Sequence, residues 1–115
     1  MDLGYDYYGA PWPHHNNSVG NGGLSLRKVS KMIEITSKYK FNWDSIEGAE
    51  DTWFSLSHKD EINICPWEIA VNFSIETPIK KYLDKVNNIP MGFHGKLTRK
   101  TLWDNDGLKF LKLKE

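Results

Sequence analysis

The chain has a single cysteine, Cys65, among its 115 residues. No intrachain disulfide can form, and nothing points to an oxidising compartment. It has no excess of either charge, since Lys plus Arg and Asp plus Glu both number 15. Binding to a phosphate backbone needs a basic excess on one face, so nucleic acid is not expected as a partner. No apolar run approaches a membrane span, and the amino end carries no signal-peptide pattern. A cytoplasmic protein with no membrane partner is the expectation. Asn16-Asn17-Ser18 and Asn72-Phe73-Ser74 fit the glycosylation acceptor pattern. Without a secretory signal they read as chance. The first 26 residues hold Asp2 and Asp6 but no Lys or Arg. Residues 96–115 reverse this, with six Lys or Arg against three acids. That segment reads as a solvated basic surface.

What is present is apolar and aromatic. Apolar residues make up 39% and aromatics 13%, with five Trp. This argues for a packed globule, and the length allows one small domain over 1–115. Residues 1–23 have loop chemistry, Gly, Pro and Asn, but carry Tyr5, Tyr7, Tyr8 and Trp12. Such anchors should lie against something. A helix should follow, with Ser25 as its N-cap and Leu26, Val29 and Ile33 as one stripe beside Met32, Ile35 and Tyr39. Residues 42–48 read as loop, and Glu50 to Phe54 as the first turn of a second helix, where acids favour the positive end of the dipole. Glu61 to Cys65 alternates like a strand. Pro66 suits the first position of a third helix carrying Trp67, Ile69, Ala70 and Phe73. Residues 89–95 are extended or looped. Helices with short extended pieces suit part of an α/β domain and do not make a complete sheet.

Four groups could carry chemistry. The Gly20-x-Gly22-Gly23 turn ahead of a helix could let a ligand approach the backbone and offer N–H groups to an anion. A plain structural turn is the commoner reading of the same residues. Glu50 and Asp51 could be a general base and its neighbour, or two surface acids at a helix start. His94, between Phe93 and Gly95, could ligate a metal or phosphate, or be a hydrogen-bonded structural histidine. Asp104-Asn105-Asp106 spells a divalent-metal motif, but Gly107 makes it a turn. The other His and Cys65 lack zinc spacing, and no Gly-x-Ser-x-Gly nucleophile motif occurs.

In chain order, Tyr5-Asp6-Tyr7-Tyr8-Gly9-Ala10-Pro11-Trp12, Gly20-Asn21-Gly22-Gly23-Leu24-Ser25-Leu26-Arg27, Glu50-Asp51-Thr52-Trp53-Phe54, Ala70-x-x-Phe73-Ser74 and Pro90-Met91-Gly92-Phe93-His94 resemble a family of glycosyltransferase-like domains. The spacing of Gly-Gly, helix and Glu-Asp is similar to that of beta-1,3 and beta-1,4 galactosyltransferase-like enzymes. The resemblance implies the carboxyl-terminal half of a GT-A fold over 1–95, incomplete and inactive by itself. It implies transfer of a hexosyl group from a nucleotide-sugar to a carbohydrate hydroxyl. Asn21, Gly22, Gly23 and Trp12 would border the donor. Asp51 would be the catalytic base with Glu50 beside it. His94 would help hold a divalent cation, Mn or Mg, or the diphosphate. The upstream half, with its nucleotide pocket and Asp-x-Asp metal motif, would be a separate partner. The alternatives of a different class are a non-catalytic carbohydrate-binding module, stacking sugars on Trp12, Tyr7, Tyr8 and Trp53, and a degenerate remnant.

Overall fold

Three strands lie in the amino-terminal segment that composition reads as loop. A computed structural model describes residues 4–41, 49–87 and 90–94. It begins with β1 (Tyr7–Tyr8), β2 (Ala10–Trp12) and β3 (Ser18–Gly20). β2 and β3 form an antiparallel hairpin with Pro11 opposite Val19. Its connection is a 3-10 turn, Pro13–His15, followed by Asn16 and Asn17 at φ 55° and 64°. Asparagine tolerates this left-handed backbone better than other side-chain-bearing residues. Gly9 lets the two chains meet: a Cβ there would fall 1.8 Å from the Gly20 carbonyl oxygen. The aromatic anchors do lie against the core, with Tyr7, Tyr8 and Trp12 all buried. Each large apolar side chain so buried contributes about 1.5–3 kcal/mol.

The first helix starts later than expected. Leu26–Arg27 is extended as β4 and pairs antiparallel with β1. Ser25 does not cap a helix; its hydroxyl accepts from Arg27 Nε at 3.0 Å. α1 runs Val29–Lys38 with Lys28 at the capping position and no side-chain cap. The expected stripe also differs. Val29 and Ile33 are 70% and 59% exposed, while Ile35 is fully buried. Met32 packs partly against the core beside it. Pairing of Leu26 with β1 turns the helix so that this other side faces inward.

α2 (Glu50–Thr52) opens with the two acids, as their dipole preference predicts. It continues as one π-helical turn, Trp53–Ser57, that buries Trp53, Phe54 and Ser55. The loop expected over 42–48 lies outside the described residues. The alternation over Glu61 to Cys65 amounts to a single parallel bridge between Ile64 and Tyr7. A strand as short as β1 leaves a longer partner nothing more to pair with.

α3 (Trp67–Ala70) follows Pro66, which occupies the capping position just before the helix. Phe73 falls past the helix end, in the turn that leads into β5 (Ser74–Ile75). α4 (Lys80–Leu83) then connects to β6 (Gly92–Phe93), which runs parallel to β5. A parallel pair requires such a crossover, so β5, α4 and β6 form a small β-α-β unit. Among the described residues two apolar clusters form: one around Tyr7, Tyr8, Ile35, Trp53 and Phe73, the other of Val71, Ile75, Tyr82 and Val86. Tyr82 ties the second to the hairpin by donating to Asn17 Oδ1 at 2.8 Å. The result is a small mixed helix–strand domain whose sheets, among the described residues, are three pairs of strands. None of its described helices is long and apolar enough to cross a membrane. The basic segment 96–115 and the Asp104 to Gly107 turn lie outside the described residues.

Candidate functional site

The register of the β-α-β unit decides what meets at one end. Ser74 pairs with Gly92 and Ile75 with Phe93. The next residues in both chains are Glu76 and His94, which leave the carboxyl ends of two parallel strands side by side. Their groups Glu76 Oε1 and His94 Nδ1 are 3.8 Å apart. The carboxyl edge of parallel strands is the usual place for ligand chemistry in α/β domains.

The glycine turn packs onto the same end. Asn21 is buried, at φ 73°. Its Oδ1 accepts from the Gly23 N–H at 2.8 Å, and its Nδ2 lies 2.8 Å from His94 Nδ1. The Gly22 N–H donates to Asp51 Oδ2 at 3.1 Å. Asp51 Oδ1 accepts from the Thr52 N–H at 2.8 Å. Residues 73 and 29 positions apart are thereby joined through one turn.

Both glycines leave room for this closeness. A Cβ on Gly22 would fall 1.9 Å from Glu50 Oε1, and one on Gly23 would fall 2.2 Å from His94 Nε2. The turn's N–H groups are engaged with Asp51 and Asn21. They are therefore not free to cradle an anion, as the sequence alone suggested. The glycines first of all admit Glu50 and His94.

Glu50 is held from outside by Arg27, Nη2 to Oε1 at 3.1 Å. The same nitrogen reaches the Tyr7 hydroxyl at 3.3 Å. The guanidinium lies 5.1 Å from the Tyr7 ring centre and 5.6 Å from that of Phe54. Such face contacts fix an arginine without removing its charge. Burial raises the Tyr7 phenol above its ordinary value, against the lowering by Arg27. Among the described residues Asp51 has no such cation contact. A carboxylate has about four lone-pair sites, so its two N–H partners leave further acceptor sites open.

Trp12 reaches the site differently from the stacking role considered for it. Its ring is buried over Gly20, and its Nε1 donates to Glu76 Oε2 at 2.9 Å. Tyr7, Tyr8 and Trp53 are buried as well. None of these four rings offers a face to a sugar, which removes that support from the binding-module reading.

Glu76 and Arg27 were not singled out from sequence. Arg27 stood within the quoted Leu26-Arg27 segment without a role. Glu76 lies two residues beyond Phe73-Ser74, and only the strand register places it beside His94. A groove of about 490 Å³ opens between Asn16 to Val19 and residues 62–68. No member of the acid, glycine and histidine cluster lines it.

Among the described residues no group of three His, Cys, Asp or Glu side chains could hold the divalent cation that the resemblance implies. His94 Nδ1 faces an amide donor, and Glu76 is its sole carboxylate neighbour within ion-pair reach among the described residues.

Fold and site thus define a class: a small mixed helix–strand domain that gathers carboxylates, an amide and an imidazole around a glycine turn. Residues 1–94 match the DUF5672 family, described as a protein of unknown function, and the chain belongs to that family. No curated protein and no solved structure matches it.

Proposed function

We propose that this chain is the carboxyl-terminal half of a GT-A-type glycosyltransferase domain that moves a sugar from a nucleotide-sugar to a carbohydrate hydroxyl. One observation carries the reading. Asn21 to Gly23, Glu50 with Asp51, and His94 are far apart in the chain, and hydrogen bonds and close approaches join them in one cluster. Apart from Trp12, these are the residues that the resemblance assigned to donor, base and late histidine.

In this reading the acceptor hydroxyl gives its proton to Asp51 as its oxygen attacks the anomeric carbon. The bond from that carbon to the diphosphate oxygen breaks, and the nucleotide diphosphate leaves. Removing the proton in the transition state is worth about a hundredfold or more. Glu50, fixed by Arg27, orients the neighbouring chain at the helix start. The turn at Gly22 and Gly23 borders the transferred sugar. The nucleotide pocket and the ligands of a Mn or Mg ion belong, in this proposal, to an upstream half.

The test is reconstitution. The chain is expressed together with the coding segment directly upstream and assayed for nucleotide release from uridine and guanosine diphospho-sugars. Acceptor-dependent release that Asp51→Asn lowers at least a hundredfold is expected. Release unchanged by Asp51→Asn at saturating substrates removes Asp51 from the mechanism. No release with any donor removes the transferase reading.

A further inference from the structure

The surface of α1 is divided lengthwise into three rows. Residues three and four apart on a helix stand one above the other. Lys31, Glu34 and Lys38 form a charged row, with Lys31 paired to Glu34 at 2.8 Å. Met32 and Ile35 form the row turned to the core. Val29, Ile33 and Thr36 form the third, with Ser30 and Ser37 beside it at the same spacings from Ile33. All five residues of this third strip are exposed, and none is charged. The Thr36 hydroxyl is already engaged within the helix, donating to the Met32 carbonyl oxygen at 2.8 Å. Leu26, just ahead of the helix, is also exposed.

Single exposed apolar side chains are ordinary on a protein surface. Val29 and Ile33 are different because they stand on successive turns with no charge in their row. Both are β-branched and form helices less readily than lysine or glutamate would, so in water they add neither helix stability nor solubility. The strip fits a second copy of itself. When two α1 helices lie antiparallel across a two-fold axis at Ile33, Val29 faces Ser37 of the partner subunit and Ser30 faces the partner's Thr36. Ile33 then meets the partner's Ile33. Away from the axis each valine is opposed by a small side chain, so the helices can approach closely. The row of Lys31, Glu34 and Lys38 is turned away from this contact, and no charge is buried.

We infer that this chain pairs with a second copy through the uncharged strip of α1, antiparallel and centred on Ile33. The strip belongs to one helix of ten residues, which is well short of the roughly 800 Å² per partner in a standard stable interface. The dimer is therefore weak and exchanges with monomer: mostly monomer at about 5 µM and mostly dimer at about 500 µM. The pairing does not depend on the transferase reading, since none of its residues belongs to the acid, glycine and histidine cluster.

Sedimentation equilibrium of the full chain across that concentration range tests the pairing. A monomer–dimer equilibrium with no larger species is expected. Val29→Lys and Ile33→Lys should each raise the dissociation constant about tenfold or more, because the dimer would bury an unpaired ammonium. Lys38→Glu, on the charged row, should change it less than about threefold. Ile33→Cys reads the symmetry itself. Two cysteines that meet on the axis are close enough to bridge, so mild oxidation should link the subunits through position 33. Cys65 is buried and does not compete. Lys38→Cys, turned away from the axis, should link about tenfold more slowly or not at all. A chain that stays monomeric at the highest concentration overturns the inference, whether the strip is bare or covered by another segment. A dimer indifferent to both lysines overturns it, as does equal linking at positions 33 and 38. Open-ended association overturns it too, because a closed two-fold pair stops at two.

Discussion

Replacing Asp51 by Asn changes one atom and should disturb two backbone partners. The Gly22 and Thr52 N–H groups donate to different oxygens of Asp51, at 3.1 and 2.8 Å. A carboxylate serves both, whereas an amide has one acceptor oxygen and turns an NH2 toward the other N–H. The shorter bond to the adjacent Thr52 should survive, and the one to Gly22 should be lost. Hydrogen bonds to charged groups contribute about 1.5–3 kcal/mol, and the partial exposure of Asp51 places this one at about 1–2 kcal/mol. In a chain this size that lowers the melting temperature by roughly 4–10 °C. Thermal melting followed by circular dichroism reads the loss, and amide hydrogen exchange locates it. Gly22 should exchange faster while Thr52 keeps its protection. An unchanged melting temperature together with an unchanged Gly22 amide would refute the link between turn and acid, on which the site depends. Lost stability and lost turnover are therefore expected together in this variant. Turnover has to be compared below the variant's own melting temperature.

Gly9→Ala places a methyl 1.8 Å from the Gly20 carbonyl, backbone against backbone, so it should cost about 3 kcal/mol in urea unfolding; a loss under about 1 kcal/mol would show that the two chains do not approach so closely. Alkaline pH should unfold the protein early. Burial raises Tyr7 and Tyr82 and pushes the Cys65 thiol up to about 12, whereas an unfolded thiol ionises near about 8.5 and phenols near about 10. The native state holds these protons longer. Stability is thus full below about pH 8.5 and falls as pH rises through the native values, by up to about 1.4 kcal/mol per pH unit for each group that is ionised only in the unfolded state. Equal melting temperatures at pH 8 and pH 10.5 would contradict this. Val29→Lys with Ile33→Lys should leave unfolding within about 0.5 kcal/mol of the parent and reduce self-association in gel filtration, because both side chains are largely exposed; a large loss of stability would place them in the core.

The sequence by itself determined the pieces with a strong local cause. The acids of Glu50 and Asp51 mark a helix start because the helix dipole favours them there, and α2 begins at Glu50. Proline before Trp67 sets off a helix because its φ is already suitable, with an error of one position. Aromatic residues in a glycine-rich segment had to be buried, and Tyr7, Tyr8 and Trp12 are. Pairing was not legible. Strands of two or three residues carry too little alternation to be seen, so β1, β2, β3, β5 and β6 emerge only when partners are aligned. Leu26 looked helical by spacing and became extended because β1 offered it hydrogen bonds. The stripe of Val29 and Ile33 looked buried, but the side a helix buries depends on where its preceding strand is docked. The site divides in the same way. Asn21 to Gly23, Glu50, Asp51 and His94 stood out as residue types, but only tertiary structure decided that they meet. Glu76 joins them because two parallel strands end in register, and His94 meets the side-chain amide of Asn21 across 73 residues of chain. Those are contacts between distant parts of the chain, and no local pattern encodes them.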